Sequence, residues 1–224
     1  MADPLERLYG KRFTAEEREA KARLWETLYA SFFARYVAGA DTVLDLGAGY
    51  CEFINRARAR RRIAIDLNPD TPRFAGEGVT VHQIPLERLG EVVAPGSVDF
   101  AFASNVFEHL PSPSALLTVL EAVHAALRPG GRLMIMQPNV RLVGGAFWDF
   151  FDHTLPLTEK GMIEALEVSG FRIQEVRPRF LPYTTKSRLP RWPVLVKAYL
   201  ALPMAQWMLG KQMLIVAERI EGVT

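Results

Sequence analysis

The chain has 224 residues, enough for one domain with a sizeable core. Hydrophobic residues make up 49% and charged residues 23%, with a formal net charge of +2, so the composition is that of an ordinary globular protein and demands no nucleic-acid partner. A single cysteine, Cys51, excludes an intrachain disulfide and a cysteine-based zinc site.

The first residues, MADPLERLYGKRF, lack the apolar core of a secretory signal, and no run is long and apolar enough to span a bilayer. The expectation is a soluble, cytoplasmic protein. Thr14 to about Val37 reads as an amphipathic helix, with Thr14 and Glu17 placed as a capping box. Leu24, Leu28, Phe32 and Tyr36 recur along one face with Trp25 beside them, and Gly39 stands just past the end.

Strands and helices then alternate. Strands are expected at Thr42–Leu46, Ile63–Asp66, Val79–Ile84, Val98–Ser104, Arg132–Gln137, Phe171–Arg177 and Gln212–Arg219. Helices are expected at Glu52–Arg60, Ser114–Leu127 and Thr158–Ser169. This alternation predicts an α/β fold: a Rossmann-like, doubly wound, seven-stranded and mostly parallel sheet, covered on both faces.

Residues 178–210 interrupt the rhythm. They are rich in proline and aromatics interleaved with Arg179, Lys186, Arg188, Arg191 and Lys197, and read as an insertion before the last strand. A helical cap over the substrate mouth is the first reading. Basic and aromatic residues together also suit peripheral contact with a membrane. The whole reads as one domain: a helical cap (1–40), a ligand-binding core (41–177), the insertion (178–210) and a last strand with its tail (211–224).

In a parallel α/β sheet, ligands bind at the carboxyl ends of the strands. Gly47 and Gly49 lie where the first strand ends, in VLDLGAGYCEFIN. The spacing is neither a dinucleotide fingerprint nor a phosphate loop. Asp66 closes the second strand, where a carboxylate can accept hydrogen bonds from both ribose hydroxyls; its other reading is a turn cap before Asn68-Pro69. Asp45 precedes the glycines and can face a cationic group. The set suits an adenosyl ligand with a positive amino-acid tail and no pyrophosphate.

The stretches VLDLGAGYCEFI, IAIDLNP, VDFAFASNVFEHLPSP and LRPGGRLMIMQPN resemble, in order and spacing, the class I S-adenosylmethionine-dependent methyltransferases, and among them the small-molecule group with a "SNVxEHL" phrase. The resemblance implies an antiparallel last strand, S-adenosylmethionine as cofactor and S-adenosylhomocysteine as product. It also implies that Asp45, Gly47 and Gly49 line the methionine end, with Cys51 at the position of the third glycine. Asp66 would bind the ribose diol and Leu67 pack on the adenine. Ser104 and Asn105 would touch the methionine moiety. Two departures stand out. Cys51, preceded by Tyr50, replaces the third glycine. The third strand leads to HQIPLERL, without the Asp that meets the adenine amino group, so Gln83 or a backbone group near Ile84 must substitute.

Three residues are candidates for chemistry: Glu108, His109 and His153. A hydroxyl acceptor benefits from a general base. In ubiquinone-pathway O-methyltransferases and small-RNA 3′-end methyltransferases, an E-x-x-E-H phrase binds a divalent cation. Here Asn105 replaces its first carboxylate, which weakens a metal site, and no metal is expected. The simpler reading has Glu108 and His109 capping the following helix. For His153 a substrate-side role and a hydrogen bond with Asp152 remain equal alternatives. His82 and His124 read as structural, and Cys51 at a cofactor turn does not read as a nucleophile. The run Arg56–Arg62 reads as the cationic end of a helix rather than an RNA contact.

The expected activity is methyl transfer to a small-molecule or glycan- or lipid-linked acceptor, at oxygen, by a monomer or dimer. A cofactor-binding scaffold without catalysis is the alternative. RNA 2′-O-methylation is a third reading.

Overall fold

The computed structural model describes residues 15–183 and 192–221. The expected cap residue Thr14 and the cations Lys186, Arg188 and Arg191 lie outside them. The first helix, α1, spans Ala15–Leu28 and continues through a π-helical stretch, Tyr29–Phe33, into a last turn, Ala34–Val37. The wider π turn departs from the regular helix expected of this segment. It carries Tyr29, Phe32 and Phe33 inward together, all buried.

The seven strands are β1 (Thr42–Leu46), β2 (Arg61–Ile65), β3 (Val79–His82), β4 (Val98–Ser104), β5 (Leu127–Pro138), β6 (Phe171–Arg177) and β7 (Gln212–Arg219). Their order is β3-β2-β1-β4-β5-β7-β6, and only β7 runs antiparallel to its neighbours. The expected fold class is met. Side chains alternate across the sheet, so β1 sends Leu44 and Leu46 to one core and Val43 to the other. The first core is closed by α2 (Pro113–Ala126) and α3 (Glu159–Val168), capped by Ser112 and Thr158, whose hydroxyls accept the N–H of Ala115 and of Gly161. The second core is aromatic. Phe53 stacks on Phe102 with ring centroids 4.1 Å apart, and Phe32 meets Phe180 at 4.5 Å.

The helix expected at Glu52–Arg60 does not form; only a 3₁₀ turn, Ile54–Arg56, is present. Side chains of this segment bond to backbone groups mostly distant in the chain instead. Arg56 donates to the carbonyls of Glu52 and Ala22, and Asn55 bonds the backbone of Phe74 and Gly76. The arginine run therefore closes no helix, and Arg56 serves as a strut between α1 and the β1 turn. The third strand stops at His82, two residues earlier than expected, and the exposed Gln83 donates its side-chain amide to the Asn68 carbonyl at 3.3 Å.

Two short helices, α4 (Pro193–Ala201) and α5 (Pro203–Leu209), follow in the insertion. No helix among the described residues is long and apolar enough to cross a membrane.

Candidate active site

The chain runs β1, β2, β3 to one side of β1 and returns to place β4 on the other, so the topological switch lies between β1 and β4. The ends of these four strands carry every residue expected to hold a cofactor. Asp45 lies near the end of β1, with Gly47, Gly49 and Cys51 after it; Asp66 and Leu67 follow β2; Gln83 and Ile84 follow β3; Ser104 closes β4 and Asn105 follows it.

The β1 turn is tied to its neighbours by short bonds. The N–H groups of Gly47 and Ala48 donate to the Ile65 carbonyl, and Gly49 N–H donates to Asp66 Oδ2 at 2.6 Å. Asp66 Oδ1 accepts from Asn68 N at 2.7 Å, and the buried Thr71 hydroxyl donates to the Gly49 carbonyl. Asp66 thus is a turn cap as well as a ligand candidate. Each of its oxygens keeps lone-pair capacity beyond the bond it already accepts.

Gly47, Gly49 and Cys51 have φ of +68°, +52° and +60°. The left-handed conformation that the third glycine would favour is kept by a cysteine, at a cost of about 1–2 kcal/mol. A Cβ on Gly47 would lie 2.5 Å from a methyl of Val106, so the loop after β4 presses directly on the turn, whereas one on Gly49 would meet nothing within 4 Å. Tyr50 points away from that turn toward α1: its ring meets Phe74 edge-on at 4.7 Å, and Arg18 and Lys21 lie over its face. Lys21 also pairs with Glu52 at 3.0 Å.

The electrostatics favour a cation. Asp45 is fully enclosed, and burial pushes its carboxyl well above the usual range, reinforced by Glu52 and Asp66. Burial also raises Asp66, against the lowering effect of its backbone N–H bonds and of His109. The buried Cys51 thiol is pushed up to about 12 by desolvation and the same carboxylates, so it is inert as a nucleophile at neutral pH. A positively charged ligand group would relieve this like-charge crowding. The residues present therefore fit the sulfonium and ammonium of S-adenosylmethionine. Exposed Leu67, beside Asp66, offers an apolar surface to the base.

Glu108, His109 and His153 come together. Each offers a ligand atom within 4.8 Å of the others', and Glu108 and His153 are buried. The capping expected of Glu108 and His109 does not occur, because Ser112 caps α2. The two residues belong instead to the 3₁₀ turn Phe107–His109, whose Glu108 carbonyl accepts the N–H groups of Thr154 and Leu155. Those bonds pull the 150s loop, and His153 with it, against the end of β4. Phe150 stacks on the His153 ring at 4.9 Å and Phe147 packs at 4.7 Å.

His109 Nδ1 lies 3.0 Å from the Asp152 carbonyl oxygen and 3.2 Å from its carboxylate. Both partners accept, so Nδ1 carries the proton, and in the neutral ring the lone pair is on Nε2. The contact between Asp152 and His109 is one the sequence does not announce. Phe147 and Phe150 escaped sequence reasoning altogether, because their proximity to His153 depends on a loop without a motif.

A family described as a methyltransferase domain matches residues 3–197. The chain belongs to that family. It is a class I S-adenosylmethionine-dependent methyltransferase, with S-adenosylmethionine as cofactor and S-adenosylhomocysteine as product. An S-adenosylmethionine-dependent methyltransferase of Archaeoglobus fulgidus matches with 18% identity and TM-score 0.66, over 88% of this chain and 94% of that one. One from Mesorhizobium loti matches with 18% identity and TM-score 0.62, over 86% and 98%. A third, from Methanosarcina mazei, has 14% identity and TM-score 0.60, over 84% and 96%. At such identities these neighbours show a shared fold. No curated protein sequence matches closely enough to add a relative.

Proposed function

We propose that this methyltransferase acts on an oxygen of a small-molecule or glycan-like acceptor, with lipid-linked acceptors included in the class. The observation that carries the reading is the convergence of Glu108, His109 and His153 beside the turn after β4. When bound, the cofactor supplies an electrophilic methyl group on a sulfonium.

In this reading Asp66 receives the ribose hydroxyls through the lone pairs its backbone bonds leave. Asp45 offsets the positive amino-acid end, and Ser104 and Asn105 line it. Asn105 itself has φ of +51° and is fixed by its N–H to the Met136 carbonyl at 2.8 Å, which sets the entry to the catalytic turn. His109 Nε2 accepts the proton of the acceptor hydroxyl as the oxygen becomes a nucleophile. Asp152 holds the required tautomer and balances the imidazolium that forms. Glu108 and His153 accept or donate hydrogen bonds to the acceptor's neighbouring hydroxyls. Phe147 and Phe150 exclude water from one side of His153, which strengthens each polar contact there.

A second reading of the same three residues is a divalent-cation site. Two imidazoles and a carboxylate suit such an ion, and Asp152 on the far nitrogen of His109 is the outer partner a ligating histidine uses.

The test is methyl transfer from labelled S-adenosylmethionine into fractionated hydroxyl-bearing acceptors, with calorimetric binding of S-adenosylhomocysteine alongside. Product formed by the wild-type protein and lost in His109→Gln, with cofactor binding kept in both, supports the proposal. Loss of turnover in chelator, restored by metal, selects the second reading. Cofactor binding without turnover on any acceptor would leave the catalytically silent scaffold.

A further inference from the structure

We propose that the face formed by α4 and α5 is a docking surface for an anionic lipid bilayer. The two helices are firmly seated on the protein. Val196 and Leu200 pack against the aromatic core, and the Tyr199 hydroxyl donates to the Phe180 carbonyl at 2.7 Å. The buried Gln206 side chain donates to the Leu200 carbonyl at 2.9 Å. At the end of α5 the backbone of Gly210 lies so near that of Gln206 and Arg179 that a Cβ there would clash. The inward side of the pair is therefore packed against the core through the partly buried Val196 and Leu200 and the buried Gln206.

The outward side is apolar too. Trp192, Val194, Leu202, Met204, Trp207 and Met208 are all more than half exposed. This segment holds eight of the thirteen exposed large hydrophobic side chains among the described residues, so the exposure is concentrated rather than scattered. A helix that is apolar all round belongs in a core or against lipid. At nine and seven residues these helices are far too short to span a membrane and can only lie flat on one.

Charge selects the occupant. From Pro178 to Lys211 the sequence has six Lys or Arg and no Asp or Glu, within a chain whose net charge is only +2, so the remainder is net negative. Among the described cations, Arg179 sits over the Trp207 ring at 5.8 Å, and Lys197 rises from the outer face of α4. Tryptophans at the apolar–polar boundary with lysines and arginines around them match the headgroup region of an anionic leaflet.

The face is also joined to the chemistry. Tyr183, at the root of the insertion, meets Phe150 at 6.0 Å, and Phe150 stacks on His153. Under the methyltransferase reading, a lipid-seated protein would present the acceptor side of its site close to the bilayer. The docking surface itself does not depend on that reading.

The experiment is co-sedimentation of the full chain with vesicles of phosphatidylcholine alone and with added phosphatidylglycerol, at low and high salt. A triple variant, Trp192→Ser, Met204→Ser and Trp207→Ser, serves as control, with S-adenosylhomocysteine binding checked in each protein. Expected is partitioning onto anionic vesicles, weakened by salt, and reduced roughly tenfold or more in the variant while cofactor binding is unchanged. A wild-type protein that stays in the supernatant, or a variant that binds as well as wild type, overturns the proposal. So does a dimer by analytical ultracentrifugation that the same three substitutions dissolve, because the face is then covered by a second copy.

Discussion

Gly49 and Asp66 are joined by a 2.6 Å bond from the Gly49 N–H to Asp66 Oδ2, which adds a side-chain tie to the two backbone bonds that fasten the turn after β1 to the Ile65 carbonyl at the end of β2. The carboxylate that can receive a ribose also holds the turn that approaches the cofactor. Under the proposed cofactor reading, binding and architecture share one side chain. Asp66→Ala removes the acceptor for two backbone N–H groups as well as the ribose contact. Two charge-assisted hydrogen bonds at about 1.5 kcal/mol each correspond to a loss of roughly 100-fold or more in cofactor affinity. Calorimetry with S-adenosylhomocysteine reads this, and a thermal scan of the ligand-free variant separates it from the accompanying loss of stability.

Cys51 is silent in the native protein. The thiol is fully buried, its pKa stands at about 12, and its sulfur lies 3.8 Å from the Thr71 carbonyl. A disulfide reagent should label it only after denaturation. Cys51→Gly relieves about 1–2 kcal/mol of left-handed strain but loses a small buried side chain worth a similar amount. The variant should lie within about 1 kcal/mol of wild type by denaturant melt, whereas Cys51→Val, with a branched Cβ at φ of +60°, should be clearly less stable.

Asp45 links stability to pH. Its folded-state pKa lies above the unfolded value of about 3.9, so its contribution is fully present below that value and is lost as pH rises through the folded pKa. Asp45→Asn should therefore flatten the fall in melting temperature of the ligand-free protein as pH rises from about 3.9 through the folded pKa. The difference between the two curves reports Asp45 together with the effect of its charge on the Cys51 thiol. The same variant should bind S-adenosylhomocysteine more weakly, so that a gain in stability accompanies a loss in binding.

His109 and Asp152 separate chemistry from positioning. His109→Gln should lower kcat by about 100-fold to 10,000-fold, the range of a lost general base. Asp152→Asn should lower it less and shift the pH profile of kcat, because the tautomer and the imidazolium lose their carboxylate partner. Both variants should keep cofactor affinity within a few-fold. A pH–rate profile unchanged by Asp152→Asn would show that the carboxylate is merely structural.

Gly47 tests the contact between the β1 turn and the β4 loop. Gly47→Ala places a Cβ 2.5 Å from Val106 Cγ2 at φ of +68°. A loss of at least about 2 kcal/mol in stability is expected by denaturant melt, and Val106→Gly should restore only the steric part, since the left-handed strain remains.

The strands and the glycine turn after β1 were open to sequence reading because they depend on local patterns: short apolar runs, glycines at turns, and acidic residues at strand ends. Even the replacement of the third glycine by Cys51 left the turn recognisable, since one left-handed residue costs far less than the packing around it supplies. The helix expected at Glu52–Arg60 failed for a nonlocal reason. Its composition is helical, but Arg56 and Asn55 are claimed by Ala22, Phe74 and Gly76, residues distant in the chain. Tertiary partners outweigh helix propensities of a few tenths of a kcal/mol per residue.

The sequence by itself determined the α/β class, through short apolar runs separated by turn residues, and pointed to the family through the resemblance of its motifs to methyltransferase stretches. Only the tertiary structure decided that Glu108, His109 and His153 meet, that Asp152 belongs to His109, and that α4 and α5 turn apolar side chains outward. A loop's path and a helix's free face are set by contacts made across the fold, and no interval of sequence encodes a distance between residues 40 positions apart.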